Sequence, residues 1–178
     1  ELVTHNSGLR LLLSSIRSKE TLLNVAPDAA ALIVRHLRTM GRNVVVDLGA
    51  GLNRLSARIV QDLNVLMLAV EPTRIGLAMT DDILRELEQM GVPESKLNIV
   101  LINRAQSSLA VPWQEAEKLL NHSMTAIISP APELAFQAAE AGMPIVLFQP
   151  NAIVANQFAK LADELGARAQ IAAGNNPA

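Results

Sequence analysis

At 178 residues, half of them hydrophobic, the chain has the size of one domain (expected span 1–178) and can bury roughly 70% of its unfolded surface. A formal charge of −2 and aromatics at 2% leave neither the cationic footprint nor the stacking rings of a nucleic-acid binder. The absence of cysteine excludes disulfides and thiolate chemistry. No apolar run approaches the roughly 18 residues of a membrane span and no signal-peptide pattern opens the chain, so a cytoplasmic location is expected.

Short β-branched runs alternate with segments of helical spacing. Leu9 to Leu13 reads as a strand, followed by a polar stretch through Glu20. A helix is expected from Pro27 to Met40, with Pro27 in its first turn, Asp28 favourable to the helix dipole and Gly41 as the stop. Val44 to Asp47 is apolar on both faces, as an interior parallel strand is. Then come a helix over Leu55 to Leu63, a strand over Val65 to Val70, and a helix from Thr73, as N-cap, to Met90 with Gly91 closing it. The remaining expectations are a strand over Leu97 to Ile102, a helix over Pro112 to Leu120, a strand over Thr125 to Ile128 and a helix over Glu133 to Ala141. A strand over Pro144 to Phe148, a helix over Asn151 to Leu165 and a frayed tail from Gly174 complete the chain.

Strand and helix in alternation predict an α/β fold of three layers with a mostly parallel sheet. Such folds bind ligands beyond the carboxyl ends of their strands. The residues expected there are Asp47 with Gly49 and Gly51, Glu71 with Pro72, Asn103 with Arg104, Ser129 with Pro130, and Gln149 with Pro150.

"VVVDLGAGLN", residues 44 to 53, carries two chemical readings. In a methyltransferase, a glycine turn lets the backbone approach S-adenosylmethionine, and an acid at the next strand end grips the ribose; Asp47, Gly49, Gly51 and Glu71 fit those places. Asn53 stands where the third glycine would be, and target-binding rings are lacking. In a phosphate-handling ATPase, the strand-end Asp holds a magnesium-bound water and the glycine turn responds to the γ-phosphate. Acids and glycines at strand ends are also ordinary turn chemistry.

Five segments in order resemble the MinD/ParA family of P-loop ATPases, and most closely its CpaE-like pilus-assembly branch. These are "SGLRLLLSS" (7–15), "VVVDLGAGLN" (44–53), "LINR" (101–104), "IISPAPELAFQAAEAGMPIVLFQP" (127–150) and "NAIVANQFAKLADEL" (151–165). The resemblance implies a P-loop-type fold that binds ATP and magnesium, with Asp47 at the metal, Gly49 and Gly51 in the mobile turn, Asn103 and Arg104 at the base, and Pro130 and Glu133 beside it. It also implies a homodimer, or a partner protein in pilus, secretion or positioning machinery.

Departures from the family pattern limit this chain. Gly49 replaces the usual proline, and Ser129-Pro130-Ala131-Pro132-Glu133 replaces an Ile-Pro-x-Asp. No G-x-x-x-x-G-K-[ST] occurs, and Lys19, Lys96, Lys118 and Lys160 all lie outside glycine loops, so nothing cradles the β- and γ-phosphates. The reading is therefore a carboxyl-terminal part of such an ATPase, with no cofactor expected in this chain, no catalytic residue assigned and no hydrolysis. The strand that the resemblance places between the Asp47 and Val65 strands would be missing, and direct pairing of those two strands is the expected closure, with an exchanged or dimer-supplied strand as the next alternative. A methyltransferase-like domain, or an interaction module on the same fold, stays as the alternative.

Lesser signals read as structural. His5, His36 and His122 are scattered, Asp81-Asp82 is a solvated helix face, and Trp113 is a packing or surface residue at a helix start. Ile153, Val154, Phe158, Leu161 and Leu165 recur at helical spacing and read as core docking.

Overall fold

A computed structural model of the chain describes residues 2–14, 17, 25–104 and 107–174. Its centre is a three-stranded parallel sheet in the order β3-β4-β5, formed by β3 (Leu66–Val70), β4 (Leu97–Ile102) and β5 (Met124–Ile128). Leu66 pairs with Leu97 and Val70 with Leu101, while Ile102 pairs with Ile128 beyond an irregularity at Ile99/Val100. The crossovers are α3 (Arg74–Gln89) and α4 (Trp113–Leu120). Parallel strands need such connections, and the helices they bring cover the sheet.

The alternation of β4 assigns each face its layer. Ile99 and Leu101 join Val70, Leu77, Leu84, Val111, Ala116 and Leu120 in a core shared with α3 and α4. Val100 lies in the opposite core with Ile128, Val154 and Leu161, where α7 (Ile153–Gly174) docks beside α5 (Pro132–Glu140) and α6 (Ile145–Phe148). Helix on sheet on helix is the expected three-layer architecture. Side chains two apart on a strand share a face, so one apolar run fills both cores.

Helix ends follow local chemistry. The Thr73 hydroxyl accepts the Gly76 N–H at 3.0 Å and opens α3, and Gly91 at φ +76° follows its end. Asn53 caps α2 (Arg54–Val60) reciprocally: its side chain accepts from the Leu55 and Ser56 amides, and the Ser56 hydroxyl accepts the Asn53 N–H at 2.7 Å. The residue read as a failed third glycine is thus a helix cap. Gly76 itself is held by space, because a Cβ there would lie 2.9 Å from the Glu71 carbonyl oxygen and 3.0 Å from the Thr73 hydroxyl.

Beside this unit, α1 (Pro27–Met40) packs against α2. The two are clamped at Asp62, which accepts from Arg35 Nη2 at 2.8 Å and Nε at 3.2 Å and from Arg58 Nη1 at 3.0 Å; Arg58 Nε reaches Asp28 at 2.8 Å. Hydrogen bonds from Arg35, and then from Arg58, hold the Asp62 carboxyl below its ordinary value against the opposing effect of burial. Gly41 ends α1 in extended backbone, φ −154°, so it stops the helix without a left-handed turn.

Several expectations are corrected. The strand at Leu9 to Leu13 shrinks to β2 (Arg10–Leu11), paired antiparallel with β1 (Val3–Thr4) in a separate two-stranded sheet. Residues 18–20 of the polar stretch lie outside the described residues, as does the tail beyond Gly174. Pro144 to Phe148 is not a strand: Leu147 and Phe148 donate to the Pro144 carbonyl and Gln149 to Ile145, making α6. A short apolar run is ambiguous between the two states, and no strand among the described residues pairs with it to offer a ladder. The last helix continues past Leu165 to Gly174.

The largest correction concerns Val44 to Asp47. Residues 43–49 form no strand, and β3 has no neighbour on its outer side among the described residues. The direct pairing expected between the Asp47 segment and β3 does not form. No main-chain group of residues 43–52 bonds another main-chain group among the described residues, and Val45 is 93% exposed. Leu48 and Leu52 still pack toward Val60, Leu66, Leu87 and Val92, which moors this segment near the sheet without closing a ladder.

Three measurements check this account. In hydrogen exchange, the amides of Val44 to Asp47 exchange near the intrinsic rate while those of Ile99 to Leu101 are protected to the limit of global unfolding. Gly76→Ala lowers stability by about 1–3 kcal/mol in thermal denaturation, although alanine is the better helix former, because the added carbon strikes backbone. Because the folded Asp62 pKa is depressed, its contribution is present above the unfolded value of about 3.9 and is lost as pH falls through the lower folded value. Asp62→Asn therefore lowers the melting temperature at pH 7 and narrows its gap to the parent protein in strong acid.

Candidate functional site

Because the strands are parallel, their carboxyl ends open on one side, where the first turns after β3, β4 and β5 lie together. Asn103 and Arg104 follow β4, and the Asn103 N–H donates to the Ile128 carbonyl at 3.0 Å, extending the ladder one residue and seating the Asn-Arg pair beside Ser129-Pro130. Glu71 follows β3 and meets Arg104, whose Nη1 lies 3.0 Å from its Oε1. Both side chains are well exposed, so this pair sets the direction of Arg104 more than it adds stability. The loop leaving β4 is tied back by the Val111 N–H donating to the Pro72 carbonyl at 2.8 Å.

On the β5 side, Pro130 is half-buried and Glu133 sits exposed in the first turn of α5. Gln157 of α7 fixes the turn between them. Its Oε1 accepts the Ser129 N–H at 2.8 Å, and its Nε2 donates to the Ser129 hydroxyl at 2.9 Å. A side-chain amide that satisfies one main-chain donor and one hydroxyl together leaves the turn little freedom. Sequence reasoning placed position 157 only on a helix, and no motif singles it out. The Arg104–Glu71 pair was equally hidden, since its members are far apart in the chain.

The other expected group sits on the loop before α2. Asp47 is exposed, with Oδ1 accepting the Gly49 N–H at 2.9 Å in an Asx turn. Gly49 at φ +73° and Gly51 at φ +70° adopt the left-handed region that favours glycine, and a Cβ at either would meet open space. Backbone conformation therefore explains these glycines. Asn103 and Arg104 follow β4, and Pro130 and Glu133 follow β5, on adjoining strand ends linked by the Asn103–Ile128 main-chain bond. No hydrogen bond or ion pair joins them to Asp47, Gly49 or Gly51 among the described residues.

The donor set fits one part of a nucleotide and not another. Asn103 offers an amide and Arg104 a guanidinium at the strand ends, the types that hydrogen-bond and stack on a base. Magnesium is commonly held by one or two carboxylates plus substrate phosphates and water. Asp47 supplies one carboxylate, and no group of three potential ligands occurs among the described residues. With no lysine-bearing glycine loop in the sequence, the residues do not fit the phosphates, and no hydrolytic step is derived through them. The methyltransferase arrangement loses its geometry as well, because Glu71 faces Arg104 and the Asp47 segment does not pair with the Glu71 strand.

No helix among the described residues is long and apolar enough to cross a membrane. No protein-family model matches the chain, and no curated protein matches it. Solved structures do. A ParA family ATPase from Chlorobium tepidum TLS superposes with a TM-score of 0.82 at 16% identity, over 92% of this chain and 66% of that one. The septum site-determining protein MinD complexed with Mg-ADP, from Pyrococcus horikoshii OT3, gives 0.69 at 21% identity over 83% and 59%. The MinC:MinD cell division complex of Aquifex aeolicus gives 0.77 at 18% over 93% and 66%. The chain thus spans about two thirds or less of the length of these structures. What it shares with them is the fold: three parallel strands between helices, in the MinD/ParA, P-loop-NTPase-like α/β arrangement.

Proposed function

We propose that these 178 residues are the carboxyl-side part of a MinD/ParA-like ATPase of the CpaE-like pilus-assembly type, which in its intact form binds ATP with magnesium. The observation that carries this reading is the seating of Asn103-Arg104 directly beside Ser129-Pro130 at adjoining strand ends, joined by the Asn103 N–H to the Ile128 carbonyl at 3.0 Å. In this reading Asn103 and Arg104 meet the base, Pro130 and Glu133 border it, and Asp47 holds a magnesium-bound water across a turn made by Gly49 and Gly51. The intact protein then acts as a homodimer, or on a partner protein, in positioning pilus or secretion machinery.

The open edge of β3 supports the same reading. A strand whose main-chain groups on one side are unpaired among the described residues, near an apolar segment that also lacks a ladder there, is the arrangement left when an interior strand is supplied from elsewhere. We place there an apolar strand that leads into the lysine-bearing phosphate loop. It would pair with β3 on one side and Val44 to Asp47 on the other. Without that loop this chain does not turn over ATP.

Calorimetry separates the possibilities. Adenosine and Mg-ADP are expected to bind the 178-residue protein weakly, with Kd on the order of 1 mM, through the base contacts alone. Asn103→Ala and Arg104→Ala each weaken both by several-fold, with no ATP hydrolysis above background in any of them. Tight binding of S-adenosylmethionine that disappears in Gly51→Val would overturn the reading in favour of a methyl-donor site.

A further inference from the structure

The amino ends of the same strands hold a second, unrelated site. A cavity of about 420 Å³ opens there, lined among others by Glu94, Ser95, His122, Ser123, Thr125 and Arg168. Along the six residues of β4 this end lies roughly 20 Å from Asn103, so it is separate from the carboxyl-end site.

Its anchor is Asn98, a polar side chain only 1% exposed in the most buried strand of the sheet. The amide nitrogen donates to the carbonyls of Lys96 at 3.0 Å and Leu66 at 3.4 Å, which fixes which way the group points. The oxygen Oδ1 then receives Arg168 Nη1 at 2.7 Å and the Thr125 hydroxyl at 3.4 Å. Burying an amide in place of an aliphatic residue costs stability unless every hydrogen bond is made, and here the bonds end on a guanidinium.

That guanidinium lacks an acid. Arg35, Arg58, Arg74, Arg85 and Arg104 each meet a carboxylate, whereas Arg10, Arg38 and Arg168 bond only neutral groups among the described residues, and of these three Arg168 alone is held by a buried side chain and lines a cavity. Its other N–H groups keep their capacity, and a guanidinium fork suits the planar or tetrahedral oxygens of a carboxylate or phosphate. The hydroxyls of Ser95 and Ser123 have no partner among the described residues and can donate to the same ligand. The His122 Nδ1 lies 2.8 Å from the Leu120 carbonyl, which only accepts, so Nδ1 carries the hydrogen and Nε2 is left on the cavity side. Two acids are near: Glu94 Oε1 lies 4.0 Å from His122 Nε2, with its side chain 83% exposed and free to turn to solvent, and Glu117 Oε1 accepts the Met124 N–H at 2.7 Å, which holds it on the main chain.

We propose that this cavity binds an oxyanion, a phosphate or carboxylate group, on Arg168 with the hydroxyls of Ser95 and Ser123, and that Asn98 positions the guanidinium for it. The buried amide exists to aim the arginine, and the ligand supplies the charge that the described residues do not.

The test is an NMR titration of the 178-residue protein with inorganic phosphate and, separately, with acetate, at constant ionic strength set by chloride. Saturable shifts of the Ser95, Ser123 and Thr125 amides and of Arg168 Nε are expected. Arg168→Ala weakens the apparent affinity at least tenfold, Arg168→Lys restores part of it, Ser123→Ala weakens it about threefold, and the surface variant Arg85→Ala leaves it unchanged. Saturation by phosphate alone or by acetate alone supports the site and names the source of the oxygens. Shifts that do not saturate with either anion, or that are the same in Arg168→Ala and Ser123→Ala as in the parent protein, overturn it.

Discussion

The central strand β4 carries the structure, because each of its faces is one side of a separate core. Ile99 and Leu101 serve the α3–α4 layer and Val100 the α7 layer, each at 3% exposure or less. Its hydrogen bonds to β3 and β5 bring three connections to one side of the sheet and three to the other. Burial on both faces contributes most of the apolar area of this region, at about 25 cal/mol per Å² removed from water. Two polar groups sit at the ends of this strand: Asn103 and Arg104 beyond its carboxyl end, Asn98 near its amino end.

The two ends use polar residues differently. Beyond the carboxyl end, turns are held by bonds that leave side chains in solvent. Glu71 directs an exposed Arg104, and Gln157 pins Ser129 beside a half-buried Pro130 and an exposed Glu133. At the amino end a fully buried amide holds an arginine from the final helix. An arrangement of the first kind presents groups to a ligand that brings its own surface, such as a base. One of the second kind aims a charge into a cavity. The same parallel topology produces both, since only at strand ends does the sheet release side chains from the two cores.

The sheet is also incomplete on one side. On β3 the outer main-chain groups lack a ladder partner among the described residues, and residues 43–49 form no strand and leave Val45 in solvent. A hydrophobic strand edge left this way is a template for another strand. Leu48 and Leu52 rest on the β3–α3 end of the core, and the Asp62 clamp keeps α1 and α2 together beside it. This side of the molecule is thus ordered by helix contacts and charge, not by sheet hydrogen bonds.

Local signals were legible where the physics is local. Thr73 as an N-cap, Gly91 after α3, Pro27 in the first turn of α1 and the apolar runs of β3, β4 and β5 all act through their own neighbours in sequence, and the structure has them as read. The alternation of these elements was enough for the α/β class, and the strand-end residues Asn103, Arg104 and Pro130 followed from it. Asn53 shows the limit: its cap requires Ser56 three residues on, and that pairing was in the sequence but was read as a missing glycine.

What the sequence could not decide is whether an apolar run has a partner. Val44 to Asp47 and Pro144 to Phe148 have strand composition, yet a strand exists only when another strand accepts its hydrogen bonds. One run is left unpaired and the other turns into a helix on the Pro144 carbonyl. Gln157 on Ser129, Arg104 on Glu71 and Arg168 on Asn98 join positions 28, 33 and 70 residues apart. By itself the sequence determined the helices other than α6, the three central strands and the three-layer α/β class, because these depend on periodicity and caps. The pairing of edges and the long-range bonds that shape both ends of the sheet were decided only by the tertiary structure, because they depend on which distant groups the fold brings within hydrogen-bond reach.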